Sequence, residues 1–444
     1  MPAHKVTPRV PFHLHNRSRK LVNEQKRQTG KDPRKLRVFN LSTGVLDELS
    51  FDDAYGVHNL YRDYKNINDI DEVEKKLGER VEAPSAKLIQ SIHEDAASGR
   101  DIVISREKLE RLRKFIFISF FRQVAISHHF FDVNHPDNAA APQWIEEFAK
   151  AVAERGGGSA TALDMWLRAL AYIIDTLHND LMKQGFEGTP GSGTARTDPA
   201  KDPYRMVANS YMTLGGCYFL QIWQAAPGRE FVLTDNNMGL FEGLANFLSP
   251  SSGLPEMLPL GLHRLFVISP TIMFVLRLNM INMIARDRLL IKSDLDKIPK
   301  VLPVHKTVGN IPLDENIHQY RAGTGQKDEF TFTITTITPE QTDQVNFVLL
   351  REVRKNGFLS FKDAKLCGEL LERYWKATYS FDMGERPKLQ PLYSQLVPRE
   401  TRTPPSVQTS SSVPDSSENK SAPSSSTKSD IAAALPGLKG RLRF

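Results

Sequence analysis

Three charged residues, Glu74, Arg122 and Asp235, stand where charge is expensive, and their types suggest chemistry. Glu74 falls at the edge of an apolar stripe made by Leu77, Val81, Leu88 and Ile92, taking about 100° per residue along a helix. A carboxylate there loses hydration unless it is paired, at a cost of roughly several kcal/mol. Glu82 lies off the stripe, and a break at Pro84 would turn it inward. Arg122, with Gln123, interrupts the all-apolar half of the next helical segment, so its guanidinium needs a carboxylate or an anionic ligand. Asp235 follows the short apolar run Phe231-Val232-Leu233 inside the turn Thr234-Asp235-Asn236-Asn237. If these groups converge, Glu74, Glu82 and Asp235 would hold a divalent cation or act as general base. Arg122 would then steady an anionic transition state, as in hydrolysis of a phosphate-containing substrate. The competing expectation is a structural ion-pair network in which Arg122 meets Glu74 or Asp235 in the interior.

Other chemistries find less support. The chain has no Gly-x-x-x-x-Gly-Lys-Ser/Thr phosphate loop, no Gly-x-Ser-x-Gly elbow and no His-Glu-x-x-His. The run Asp235-x-Asn237-x-Gly239 begins like a calcium loop, but its sixth position is Leu240 and its twelfth Asn246. Adjacent His128 and His129 point about 100° apart on a helix, so with His135 and His178 they make a poor metal set. Cys217 and Cys367 are the only cysteines, which argues against a disulfide scaffold and fits a reducing compartment.

The elements that must position these residues are legible in outline. Residues 35–51 form a hairpin about Ser42-Thr43-Gly44. A helix over 70–92 is kinked or divided by Pro84, and a second runs over 106–131. Helices open at Pro142 and Thr161, the latter running to Gln184 with Gly185 in the C′ position. Asp202 caps another that continues to Trp223. Strands follow at 230–234 and on both sides of Ser269-Pro270-Thr271 within 263–278. The capping box Thr338-Pro339-Glu340-Gln341 opens a helix to about Lys355, ended by Gly357, and Ser360 begins the last. The resulting class is α+β: a predominantly helical single domain, residues 35–395, around a small, mostly antiparallel sheet.

Composition frames that domain. Of 444 residues, 40% are apolar and 25% charged, with a formal charge of +6, a globular balance. The basic excess gathers in an irregular arm, residues 1–34, and just beyond it. In the first 37 residues, eleven Lys and Arg face only Glu24 and Asp32. Such an arm would draw nucleic acid or another anionic ligand, although sparse aromatics give little support to base stacking. From residue 396 a Ser/Thr/Pro-rich tail buries too little to order itself. The stretch "LFVISPTIMFVL" (265–276) carries Pro270 and falls short of the roughly 20 residues a spanning helix needs. With no signal-type N-terminus either, the expectation is an intracellular protein, cytoplasmic or nuclear.

Four segments in order, "HNLYRDYKNINDIDEVEKKLGERVEAPSAKLI" (58–89), "LRKFIFISFFRQ" (112–123), "EFVLTDNNMGLFEG" (230–243) and "HRLFVISPTIMFVLR" (263–277), give the chain a family likeness. It resembles the uncharacterised domain of unknown function 4238, in its fungal branch. The resemblance implies an acidic pair on the first helix, an Arg on the next, an Asp after a strand and a Ser-Pro turn. Here those places are held by Glu74 and Glu82, Arg122, Asp235 with the neighbouring Asn236, and Ser269-Pro270. Glu82 requires one extra residue of spacing. The family's His-rich opening is divergent, with His4, Pro8 and Arg9 kept at altered spacing. The resemblance implies no activity, so hydrolase, binding or scaffold protein, and nucleic-acid-associated protein all stand as expectations.

Overall fold

The computed structural model describes residues 5–6, 35–50, 57–58, 61, 63, 68–123, 131–135, 142–156, 160–187, 204–236, 238–248, 255–279, 289–309, 311, 317–377 and 386–397. His4, His128, His129, Asp202, almost all of the basic arm and nearly all of the Ser/Thr/Pro-rich tail lie outside the described residues.

In chain order the elements are β1 (Lys5–Val6), β2 (Lys35–Asn40), β3 (Val45–Ser50), β4 (Val57–His58) and α1 (Glu72–Lys76). A π-helical turn, Leu77–Glu82, joins α1 to α2 (Ala83–Ala97). Next come β5 (Ile102–Ser105), α3 (Arg106–Phe121), α4 (Pro142–Gly156), α5 (Ala162–Asp175), α6 (His178–Glu187) and α7 (Arg205–Gly216). The central strands are β6 (Tyr218–Gln224), β7 (Leu233–Thr234), β8 (Met238–Leu248), β9 (Pro255–Val267), β10 (Ile272–Leu278), β11 (Leu289–Lys292) and β12 (Val304–Lys306). The chain closes with α8 (Ile317–Ala322), β13 (Glu329–Phe332), β14 (Thr335–Thr336), α9 (Pro339–Arg351), β15 (Phe358–Phe361), α10 (Ala364–Lys376) and α11 (Gln390–Leu396).

The α+β class holds, but the sheet is not one small layer. Six strands lie in the order β11-β8-β9-β10-β6-β14, and further sheets have orders β12-β13-β5, β3-β2-β15-β7 and β1-β4. Among the described residues, every pairing is antiparallel except that of β14 with β6. Alternate residues of the six-stranded sheet enter two separate cores, as the period of two in a strand requires. Leu220, Ile222, Phe266, Phe274 and Leu276 join α2, α3, α5 and α7 on one face. Trp223, Leu265, Val267, Met273 and Val275 join α9, α10 and β15 on the other. Each fully buried side chain of this kind contributes roughly 1.5–3 kcal/mol.

The hairpin at 35–51, the strands around Ser269-Pro270-Thr271 and the Thr338 capping box are found as the sequence indicates. Other elements differ for identifiable reasons. The helix beginning at Arg106 ends at Phe121, where the Trp166 indole donates 3.1 Å to the Phe121 carbonyl, and residues 124–130 of the expected span lie outside the described residues. The helix from Thr161 is two helices. Lys114 Nζ takes the Ile174 and Thr176 carbonyls at the break, 3.0 and 2.6 Å away. The segment ending at Trp223 changes from helix to strand at Tyr218, because a centrally placed strand is apolar on both faces and shows no alternation. The Thr338 helix ends at Arg351, and residues 358–361 form a strand before Asp363 caps α10 by accepting from the Lys365 and Leu366 amides.

Candidate functional sites

The expected helix is divided into α1 and α2 by the π-helical turn Leu77–Glu82, and Pro84 follows in the first turn of α2. Pro84 has no N–H to close the preceding ladder, and the chain widens just before it. The Ala83 amide donates to the Gly78 carbonyl, five residues back. Such a turn holds one residue more than an α-turn. It also rotates Glu82 inward beside Val81, so that both are buried.

Arg122 meets it there. As C-cap of α3 it leaves helical geometry, with φ −90° and ψ 6°. Its Nη1 lies 2.5 Å from Glu82 Oε1, and the two side chains are only 4% and 8% exposed. Burial opposes the guanidinium charge, but Glu82, then Tyr61 and Glu74, outweigh it and hold Arg122 above its ordinary pKa. Tyr61, itself buried and stacked on Trp166 at 5.7 Å, is held above the usual phenol range by that burial. Glu74 is half-buried and acts on both Arg122 and Tyr61 through its charge.

Asp235 has a different partner. Its charge partner is Arg354, whose Nε stands 3.6 Å from Oδ2. Burial raises its pKa and Arg354 opposes that rise. Its amide donates to the Phe358 carbonyl at 3.2 Å, and a Cβ at Gly357 would collide with its carboxylate. Asn236 Nδ2 reaches the Glu352 carbonyl at 3.4 Å. The turn thus fastens the loop between α9 and β15. Ser269 Oγ accepts from the Thr271 and Ile272 amides at 3.2 and 3.0 Å, closing the turn between β9 and β10. The structure therefore brings Glu82, Arg122 and Glu74 together and places Asp235, Asn236 and Ser269 in backbone turns.

Two polar clusters escaped sequence reasoning. Across the sheet, Glu242, His263 and Arg277 occupy registered positions on β8, β9 and β10. His263 Nδ1 and Glu242 Oε2 are 2.7 Å apart. The Glu242 carboxylate also accepts from Ser293 Oγ and the Asp294 amide, both at 2.8 Å. Charges inside "HRLFVISPTIMFVLR" were the available signal, but they read equally well as flanks of an apolar run. The second cluster surrounds the fully buried Asp328. Its carboxylate meets Arg106 Nη2 at 2.9 Å, His305 Nε2 at 3.1 Å, the Tyr320 hydroxyl at 2.7 Å and the Val308 amide at 3.0 Å. Nothing local marks it, since Arg106 lies 222 residues away in sequence.

His178 Nδ1 lies 2.7 Å from the Tyr211 hydroxyl, and burial, with Arg113 and Lys114 nearby, pushes its pKa down to about 3. Among the described residues, no three or more His, Cys, Asp or Glu gather as a metal set. A cavity of about 20 Å³, lined by Arg113, Tyr211, Tyr218 and apolar side chains, has room for about one water. No described helix is long and apolar enough to cross a membrane.

Residues 8–358 match the family described as protein of unknown function (DUF4238). No curated protein and no solved structure matches the chain.

Proposed function

The chain belongs to the DUF4238 family, and we propose that it is a non-enzymatic binding or scaffold protein in which the Glu82–Arg122 pair stabilises and specifies the fold. The observation that carries this is the direct bond between two groups that are each nearly out of water. Arg122 is already neutralised, so a phosphate would have to displace Glu82 before meeting the guanidinium. Hydrolysis would further ask Asp235 to face Arg122, whereas Asp235 is engaged with Arg354.

Removing one partner leaves the other charged and buried, which costs roughly 3–5 kcal/mol. Arg122→Ala is therefore expected to unfold the protein or lower its melting temperature markedly, as read by thermal denaturation. An unchanged melting temperature together with lost ligand binding would overturn the proposal and favour a working pocket.

A further inference from the structure

On the face of the six-stranded sheet away from Glu82, one buried cation is only half used. Arg277 is 1% exposed. Its Nη1 donates to Gln221 Oε1 at 3.0 Å and to the Ile298 and Pro299 carbonyls at 2.8 and 3.0 Å. Its Nε and Nη2 are buried without a partner. Those two nitrogens form one side of the guanidinium fork, the geometry that grips two oxygens of a carboxylate or phosphate. The neighbouring Trp223 is fully buried too, and its indole Nε1 likewise has no acceptor. The Trp223 ring centre lies 5.8 Å from Arg277 Cζ.

Two carboxylates act on the Arg277 charge, Asp296 first and then Glu242, and Asp296 faces Lys300, whose Nζ lies 3.9 Å from its Oδ1. Both Glu242 oxygens are taken by His263, Ser293 and the Asp294 amide, and the Ile298 and Pro299 carbonyls already serve Nη1. What remains is a set of donors with nothing to receive them. Buried donors in native proteins are seldom left so, and a charged one left over costs more than a neutral one. The group that complements such a set accepts through at least two oxygens and carries negative charge.

We propose that Arg277 and Trp223 form a closed seat for a small oxyanion, a carboxylate or phosphate group, between the sheet and the segment 293–299. This rests on the binding reading above and gives it a ligand class. Arg277 grips the anion side-on, while its Nη1 and Glu242 hold the covering segment in place.

The test is thermal denaturation of the full chain in inorganic phosphate, in acetate and in chloride at equal ionic strength. Phosphate or acetate, at about a hundredfold excess over its dissociation constant, raises the melting temperature by about 3 °C relative to chloride. Which anion does so separates the two sources. Arg277→Lys keeps the charge but loses the fork, and the difference from chloride disappears. Trp223→Phe keeps the ring but loses the N–H, and the difference shrinks. An equal rise in Arg277→Lys, or no rise with either anion in the parent protein, overturns the seat. If Arg277→Lys shows no cooperative transition, an undiminished rise in Trp223→Phe overturns it instead. Arg122→Ala reports separately: a seat that fails while that variant still loses stability leaves the structural pair standing, and the converse result leaves the seat.

Discussion

Glu230 shows how burial can dominate a titration. It is 7% exposed, and although the Asp363 amide donates to its Oε1 at 3.1 Å, burial pushes its pKa up to about 7 from 4.5. The folded state therefore holds a proton between those values that the unfolded chain has released. Stability from this group is fully present below pH 4.5, falls as pH rises through about 7 and is flat above. The difference corresponds to about 3 kcal/mol. Glu230→Gln is expected to remove that descent and leave the protein more stable than the parent at pH 8, measured by urea unfolding at pH 5 and pH 8. An unchanged descent would assign it to other groups. At this scale sequence was informative where a charge broke an all-apolar run, as at Arg122. It was less so at Glu82, whose inward direction depends on a π-turn that helical periodicity does not encode.

Between elements, Gly185 decides how closely two helices approach. Its position reads as a C′ residue, yet α6 continues to Glu187. Glycine is needed there because a Cβ would collide with the Ala208 carbonyl and Met212 of α7. An unhindered Gly→Ala change inside a helix gains roughly 0.5–1 kcal/mol. Here overpacking of roughly 1–3 kcal/mol opposes it, so Gly185→Ala is expected to lower the urea midpoint. A raised midpoint would show that the crossing yields without strain. Elements with local punctuation were readable: the Thr338 capping box, the Gly44 turn with φ 69°, and the Ser269 turn. Strands β6 and β15 were not, because tertiary position rather than pattern makes them strands. β6 lies between β10 and β14, and β15 between β2 and β7.

For the whole molecule, the six-stranded sheet separates two cores, and its charges are divided accordingly. Glu82 and Arg122 come from the helical layer of one core, whereas Arg277 and Trp223 serve the other face. A sequence can mark each of these charges as out of place. It cannot say which meet, since Arg122 and Glu82 are 40 residues apart and Asp328 draws Arg106 from 222 away. The claim most exposed to test is that Glu82 and Arg122 stabilise the fold as a pair. A double-mutant cycle by denaturant unfolding, with Glu82→Leu, Arg122→Met and both together, measures this directly. Each single change is expected to lose roughly 3–5 kcal/mol, and the double variant far less than their sum, because no charge is then left buried alone. Small single losses that simply add would contradict it.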